Sequence, residues 1–272
     1  MMTGTLLTVL AALAYAGCGA VALSSLWKRG GRAPAWLLAG ILATLVLHSA
    51  GVSRQIFHDG GIFFGFGPAV SASMLFAVAI LSIVSCFQRI GPVFGIVLIA
   101  AAAAALLPAA FPGEPMNAAL WTPLFRVHLS LGLITYGLLA TAIIQAVLMQ
   151  LQDSRFRRSP DPVPQRGILS NLPSILSMEK VLFYILWTGF ATLTALLITG
   201  FFVTQEAYGV WLHFDHKTFL TWASWLCCAV LLAGHRLLGW RGSTALKWCW
   251  ILCAVYLVAY LGYTFLIEVF ID

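Results

Sequence analysis

The chain has 272 residues, of which 61% are hydrophobic and only 9% charged. Soluble domains carry about 25% charged residues, so this composition excludes a soluble enzyme or binding domain and assigns the chain to the lipid bilayer. The formal net charge of +6 does not indicate nucleic acid as a partner, because the basic residues stand in short loops between apolar runs and form no continuous face.

A helix needs about 20 apolar residues to cross a bilayer. From the N-terminus, eight runs approach or exceed that length: 4–26, 34–52, 66–87, 91–110, 123–151, 180–204, 219–238 and 245–269. They predict an all-α polytopic membrane protein, a single integral domain over 1–272. No basic residue precedes the first run, so it is not read as a secretory signal. Charged or turn-forming strings separate the runs: Lys28 to Arg32, Arg89, Pro112 to Pro115, and Trp240-Arg241-Gly242. The fourth run is small rather than strongly hydrophobic across Ala100 to Ala105. Between the fifth and sixth runs, residues 152–178 read as a cytosolic loop. It opens on a basic patch, Arg155 to Arg158, suited to anionic headgroups, and continues into polyproline character from Ser159 to Pro164.

Sidedness follows from Lys and Arg. Alternate loops place twelve on one side and only three, Arg54, Arg126 and Lys217, on the other. By the positive-inside rule the side with three is outside, as are both termini, and the membrane is taken as a bacterial inner membrane.

Three histidines, His48, His128 and His235, fall inside apolar runs. An imidazole at membrane depth is costly and is retained for pairing, proton handling or cofactor ligation. At about 1.5 Å per residue, His48 and His128 lie ~6 and ~7 Å below the outer ends of their helices, and His235 lies ~24 Å below. The outer pair is therefore a candidate for the two axial ligands of a haem iron, which His235 cannot join. A hydrogen bond from His48 to a backbone carbonyl on a neighbouring helix is the plain alternative. His58, His213 and His216 fall in outer loops. Trp211, Phe214, Phe219, Trp222 and Trp225 offer aromatic surface for a macrocycle or form an interfacial belt, and the three outer cations are suited to propionates. The six cysteines all lie in apolar runs and are read as packing residues, including Cys249 and Cys253 at i, i+4. The sequence contains no Gly-rich phosphate loop, no Gly-x-Ser-x-Gly and no His-Glu-x-x-His, so the expected role is cofactor handling rather than catalysis.

Three strings resemble the cytochrome c assembly protein family of the CcsA/CcmC type, with closest likeness to its YpjD-like and HemX-like inner-membrane members. The first is Val127-His128-Leu129-Ser130 leading to Thr135-Tyr136, similar to the family's outer axial-histidine helix. The second, Phe214-Asp215-His216-Lys217-Thr218 running to Trp225, stands where the family has its tryptophan-rich WWD signature. The third, Gly234-His235-Arg236 followed by Gly239-Trp240-Arg241-Gly242, resembles an element whose histidine is a transmembrane haem ligand. The likeness extends from Leu45 onward and takes in Leu172-Pro173 and Met178-Glu179-Lys180.

The chain departs from the pattern at Phe214 for tryptophan, His216 for proline and Thr218 for glutamate. It also has no counterpart of the family's second outer histidine. The resemblance implies a protein that binds, presents or relays haem (haem b) at the outer leaflet, supporting cytochrome maturation or haem homeostasis. Its partners would be the bilayer, haem, and cytochrome maturation proteins or a cytosolic haem-synthesis enzyme. His128 would be an axial ligand with His48 as its partner. Asp215, Lys217, Trp222 and Trp225 would form the haem-facing edge, and His235 an inner haem site or a structural hydrogen-bonder near Arg241. The competing expectations are a non-haem scaffold or regulatory subunit and a small-molecule carrier.

Overall fold

The computed structural model describes residues 2–24, 34–87, 90, 92–158, 174–213 and 216–258. Among the described residues the chain forms eight α-helices: α1 (Met2–Leu23), α2 (Ala35–Ile56), α3 (Phe66–Phe87), α4 (Pro92–Ala110), α5 (Pro123–Arg158), α6 (Ile175–Tyr208), α7 (His216–Leu237) and α8 (Ser243–Leu257). Seven of them, α1 to α7, are long and apolar enough to cross a membrane. The all-α polytopic architecture expected from composition is the one found.

Element ends differ from the apolar runs where polar residues continue a helix. α5 reaches Arg158 and α6 starts at Ile175, so both ends of the expected 152–178 loop are helical. The Ser174 hydroxyl caps α6 by accepting from the Ser177 N–H at 3.3 Å. At its other end α6 continues to Tyr208 and stops at Gly209, whose left-handed φ of 70° closes the helix through a bond to the Gln205 carbonyl. The polyproline string 159–164 lies outside the described residues.

Without water to expel, helices in lipid associate through close packing and interhelical hydrogen bonds. Both are present. α1 lies between α2 and α4. Glycine allows the closest approach: a Cβ added to Gly19 would stand 3.1 Å from the Gly95 carbonyl oxygen on α4. A Cβ at Gly137 on α5 would collide with the Ser73 carbonyl on α3. Between α5 and α6, the Thr135 and Thr192 hydroxyls lie 3.0 Å apart, and Gln145 donates to the Met178 carbonyl at 2.8 Å. Leu6, Leu13, Val46, Ile83 and Ile198 are exposed, as a lipid-facing surface requires.

One feature absent from the apolar-run reading caps the end of the bundle where α2 ends and α3 and α5 begin. Strands β1 (Phe57–His58), β2 (Gly61–Phe64) and β3 (Glu114–Met116) form an antiparallel sheet in the order β1-β2-β3. Asp59 and Gly60, with φ of 50° and 71°, make the tight turn between the first two strands. The sheet fixes the connection from α4 to the start of α5, and so positions the first turns of α5.

Candidate functional site

A cleft of about 360 Å³ opens at the sheet end of the bundle between α5, α6, the α6–α7 connection and the start of α7. That volume falls within the range of small-molecule and cofactor sites. Thr122 sets the first wall: its hydroxyl accepts from the Phe125 N–H at 3.2 Å and donates to Glu206 at 3.1 Å. It thereby caps α5 ahead of Pro123 and ties that end to the far end of α6.

His128 lies on this wall and lines the cleft. Its Nδ1 is 3.0 Å from the Thr199 Oγ1 on α6. The same hydroxyl lies 2.9 Å from the Ala195 carbonyl and 3.1 Å from that of Leu196. A hydroxyl has one proton, and the two carbonyls accept only, so Thr199 donates to its own helix and accepts from His128. The network thus assigns the proton to Nδ1 and leaves the Nε2 lone pair available for ligation. Gly200, the next residue on α6, leaves room for the ring: a Cβ there would sit 3.4 Å from the imidazole Cε1.

Trp222, on α7, lines the cleft with its ring 6.0 Å from Phe201. Trp225 does not line it. Its indole N–H donates to Thr194 on α6 at 2.9 Å and its ring stacks on Phe190, so it fastens α7 to α6 behind the cleft. Asp215 lies outside the described residues, as does the side chain of Lys217, whose backbone is in the first turn of α7. Arg54 and Arg126 are exposed and are not among the residues lining the cleft.

His48 does not join His128. It is fully buried, and both ring nitrogens are engaged, Nδ1 with the Tyr15 hydroxyl at 3.3 Å and Nε2 with the Ser71 hydroxyl at 2.9 Å. These bonds link α1, α2 and α3. α3 packs against α2 and also against α5. Equal depth along the membrane is therefore not adjacency: both His48 ring nitrogens, its lone pair included, are engaged by hydroxyls on α1 and α3, and His48 is not among the residues lining the cleft.

His235 closes the opposite end of α7. Its Nδ1 donates to the Trp240 carbonyl at 2.8 Å, its ring stacks on Phe183 at 3.5 Å, and the buried Glu179 carboxylate is 3.9 Å away. The Trp240 carbonyl, at the shorter distance, takes the Nδ1 proton. Gly239, at φ 67°, turns the chain so that the Trp240 indole covers Gly234, where any Cβ would collide with it. The Gly-His-Arg and Gly-Trp-Arg-Gly strings thus meet as one helix-end closure.

The cleft holds a residue that the apolar-run reading set among the loop histidines. His213 lines it alongside His128, with its ring stacked on Tyr208 at 5.1 Å and an interplanar angle of 19°. Gly209 was the available signal, since a helix-closing glycine four residues before His213 folds that segment back over α6.

The model of the family described as cytochrome C assembly protein matches residues 35–271. The chain is 26% identical over 260 residues to inner membrane protein YpjD of Escherichia coli (strain K12), covering 93% of this chain and 95% of that protein. It is 29% identical over 200 residues to an uncharacterized 28.8 kDa protein in a nifR3-like 5' region of Azospirillum brasilense, covering 74% and 72% respectively. No solved structure matches. With its seven long apolar helices and an inner-membrane relative along nearly its full length, this is a multi-pass bacterial inner-membrane protein. The chain belongs to the cytochrome c assembly protein family.

Proposed function

We propose that the cleft holds haem b through His128, and that the protein binds, presents or relays haem at the outer face of the inner membrane in support of cytochrome maturation or haem homeostasis. The observation that carries this reading is the His128–Thr199 bond, which presets the tautomer and leaves Nε2 as a ligand. The donor set agrees with it. Among the described residues no three His, Cys, Asp or Glu side chains converge as a metal-ion site would need, whereas haem requires only one or two axial imidazoles. The family is one associated with haem.

Each wall has a separate task. Thr199 orients the imidazole, Gly200 leaves space beside it, and Trp222 and Phe201 provide an apolar face that keeps water from the macrocycle. Lys217, in the first turn of α7, is our proposed counter-charge for a propionate. Haem bound here supplies the porphyrin and redox-active iron that cytochrome maturation consumes. The sidedness rests on the Lys and Arg distribution, which puts the cleft end outside together with both termini.

The test is absorption spectroscopy of protein purified in detergent after haem-supplemented expression. The reading requires a Soret band in the wild type that is lost in His128→Ala. A folded wild-type protein with no Soret absorption overturns it and leaves the scaffold reading standing.

A further inference from the structure

We propose that the end of the bundle where α6 begins and α7 ends carries a binding site for an anionic phospholipid, with the Arg236 guanidinium holding the headgroup phosphate beside Trp187. Neither residue lines the cleft, and the site does not depend on what the cleft holds.

Lys180, Tyr184 and Trp187 stand at i, i+4 and i+7 on α6, so they share one face, and all three are exposed. The same face continues past Trp187 through Ala191 to Ile198, both exposed, an apolar strip of ~16 Å for an acyl chain at 1.5 Å per residue. α7 packs antiparallel to α6 and brings Arg236, in its last turn, to this face. The guanidinium carbon lies 5.7 Å from the centroid of the Trp187 ring. Such a cation–π contact steadies the guanidinium yet uses none of its five N–H donors, and a phosphate takes two of them in a bidentate pair. Among the described residues no carboxylate forms an ion pair with Arg236 or Lys180, and Glu179, next along α6, is buried and faces His235 at 3.9 Å. A cation in a membrane-spanning helix without a counter-ion is costly, and a lipid phosphate supplies the missing charge. Leu237 and Leu238 follow Arg236 and are 81% and 70% exposed, an apolar border suited to lipid and not to a soluble anion. The Lys and Arg distribution puts this end in the cytosol, so the lipid belongs to the inner leaflet.

The experiment is native mass spectrometry of the full-length protein in detergent, titrated with phosphatidylglycerol and, separately, with zwitterionic phosphatidylethanolamine. Wild type is expected to retain phosphatidylglycerol in preference. Arg236→Gln removes hydrogen bonds to a charged group and should lower that affinity by about tenfold or more. Arg241→Gln removes another exposed cation at the same end, and general attraction to an anionic leaflet is worth only about fivefold per cation. Arg236→Lys keeps the charge and loses the planar fork, so it should still bind phosphatidylglycerol less tightly than wild type. Arg236 is exposed, so both substitutions leave the helix packing intact, which elution in detergent verifies. Inorganic phosphate should not displace the lipid. Equal losses in Arg236→Gln and Arg241→Gln, or wild-type binding by Arg236→Lys, would reduce the effect to the field of the basic loops and overturn the site. Displacement by inorganic phosphate, or equal retention of the two lipids, would overturn the anionic phospholipid as its ligand.

Discussion

The Nδ1 of His128 and the hydroxyl of Thr199, 3.0 Å apart across the α5–α6 contact, form a donor–acceptor pair whose direction is set by the two carbonyls behind Thr199. Thr199→Val keeps the shape of the side chain and removes the acceptor. The imidazole then loses both its fixed tautomer and its orientation. Partners of this kind are worth about 10- to 100-fold in ligand affinity at metal centres. Haem affinity should fall by about that factor in Thr199→Val while Thr199→Ser stays close to wild type, as measured by titration with ferric protoporphyrin IX. Equal affinity in all three proteins would remove Thr199 from the site.

Gly200 provides a graded test of the cleft. A Cβ at this position meets the His128 Cε1 at 3.4 Å, an ordinary contact, so Gly200→Ala should bind haem nearly as well as wild type. Gly200→Leu extends beyond that contact into the space the macrocycle needs and should abolish the Soret band. Its elution profile in detergent should remain that of the wild type, because α6 gains a better helix former. Haem binding by Gly200→Leu at wild-type affinity would mean that the ligand lies elsewhere.

His48 should separate stability from ligand binding. His48→Ala leaves the Tyr15 and Ser71 hydroxyls unpaired inside the α1–α2–α3 contact. A buried group left without its partner costs about 1–3 kcal/mol. Thermal unfolding in detergent should therefore occur at a lower temperature, with the Soret band of the remaining folded protein unchanged. A selective loss of haem with unaltered stability would restore His48 to the site.

These contrasts show what one dimension of sequence conveys. Apolar length gave the helices, because a helix is the one open-ended segment that satisfies its own backbone in lipid. It gave depth along each helix as well. Lateral position was not legible: His48 and His128 were equally deep on paper, yet His48 is tied into α1–α2–α3 while α3 also packs against α5. Helix neighbours are chosen by surface detail such as Gly19 against Gly95 and Gly137 against Ser73, which hydropathy does not record. The small sheet was missed because strands of two to four residues are too short for an alternating pattern, although Asp59-Gly60 is a hairpin signal. His213 was passed over for a related reason. Its place depends on where α6 stops, and Gln205-Glu206-Ala207-Tyr208 continue the helix beyond the apolar run.

The two tryptophans of α7 should part in the same way. Trp225 fastens α7 to α6 through the Thr194 hydroxyl, and Trp222 forms cleft wall. Interhelical hydrogen bonds of this type average about 0.6 kcal/mol and reach about 1.7 kcal/mol. Trp225→Phe keeps the stacking on Phe190, so it should lower stability by no more than that and leave haem affinity unchanged. Trp222→Ala should instead weaken haem retention, because it opens the apolar face to water. Haem dissociation in the presence of an excess of apomyoglobin reads the difference directly. Faster loss is expected from Trp222→Ala and wild-type loss from Trp225→Phe, and the reverse order would put Trp225 at the haem face and Trp222 behind it.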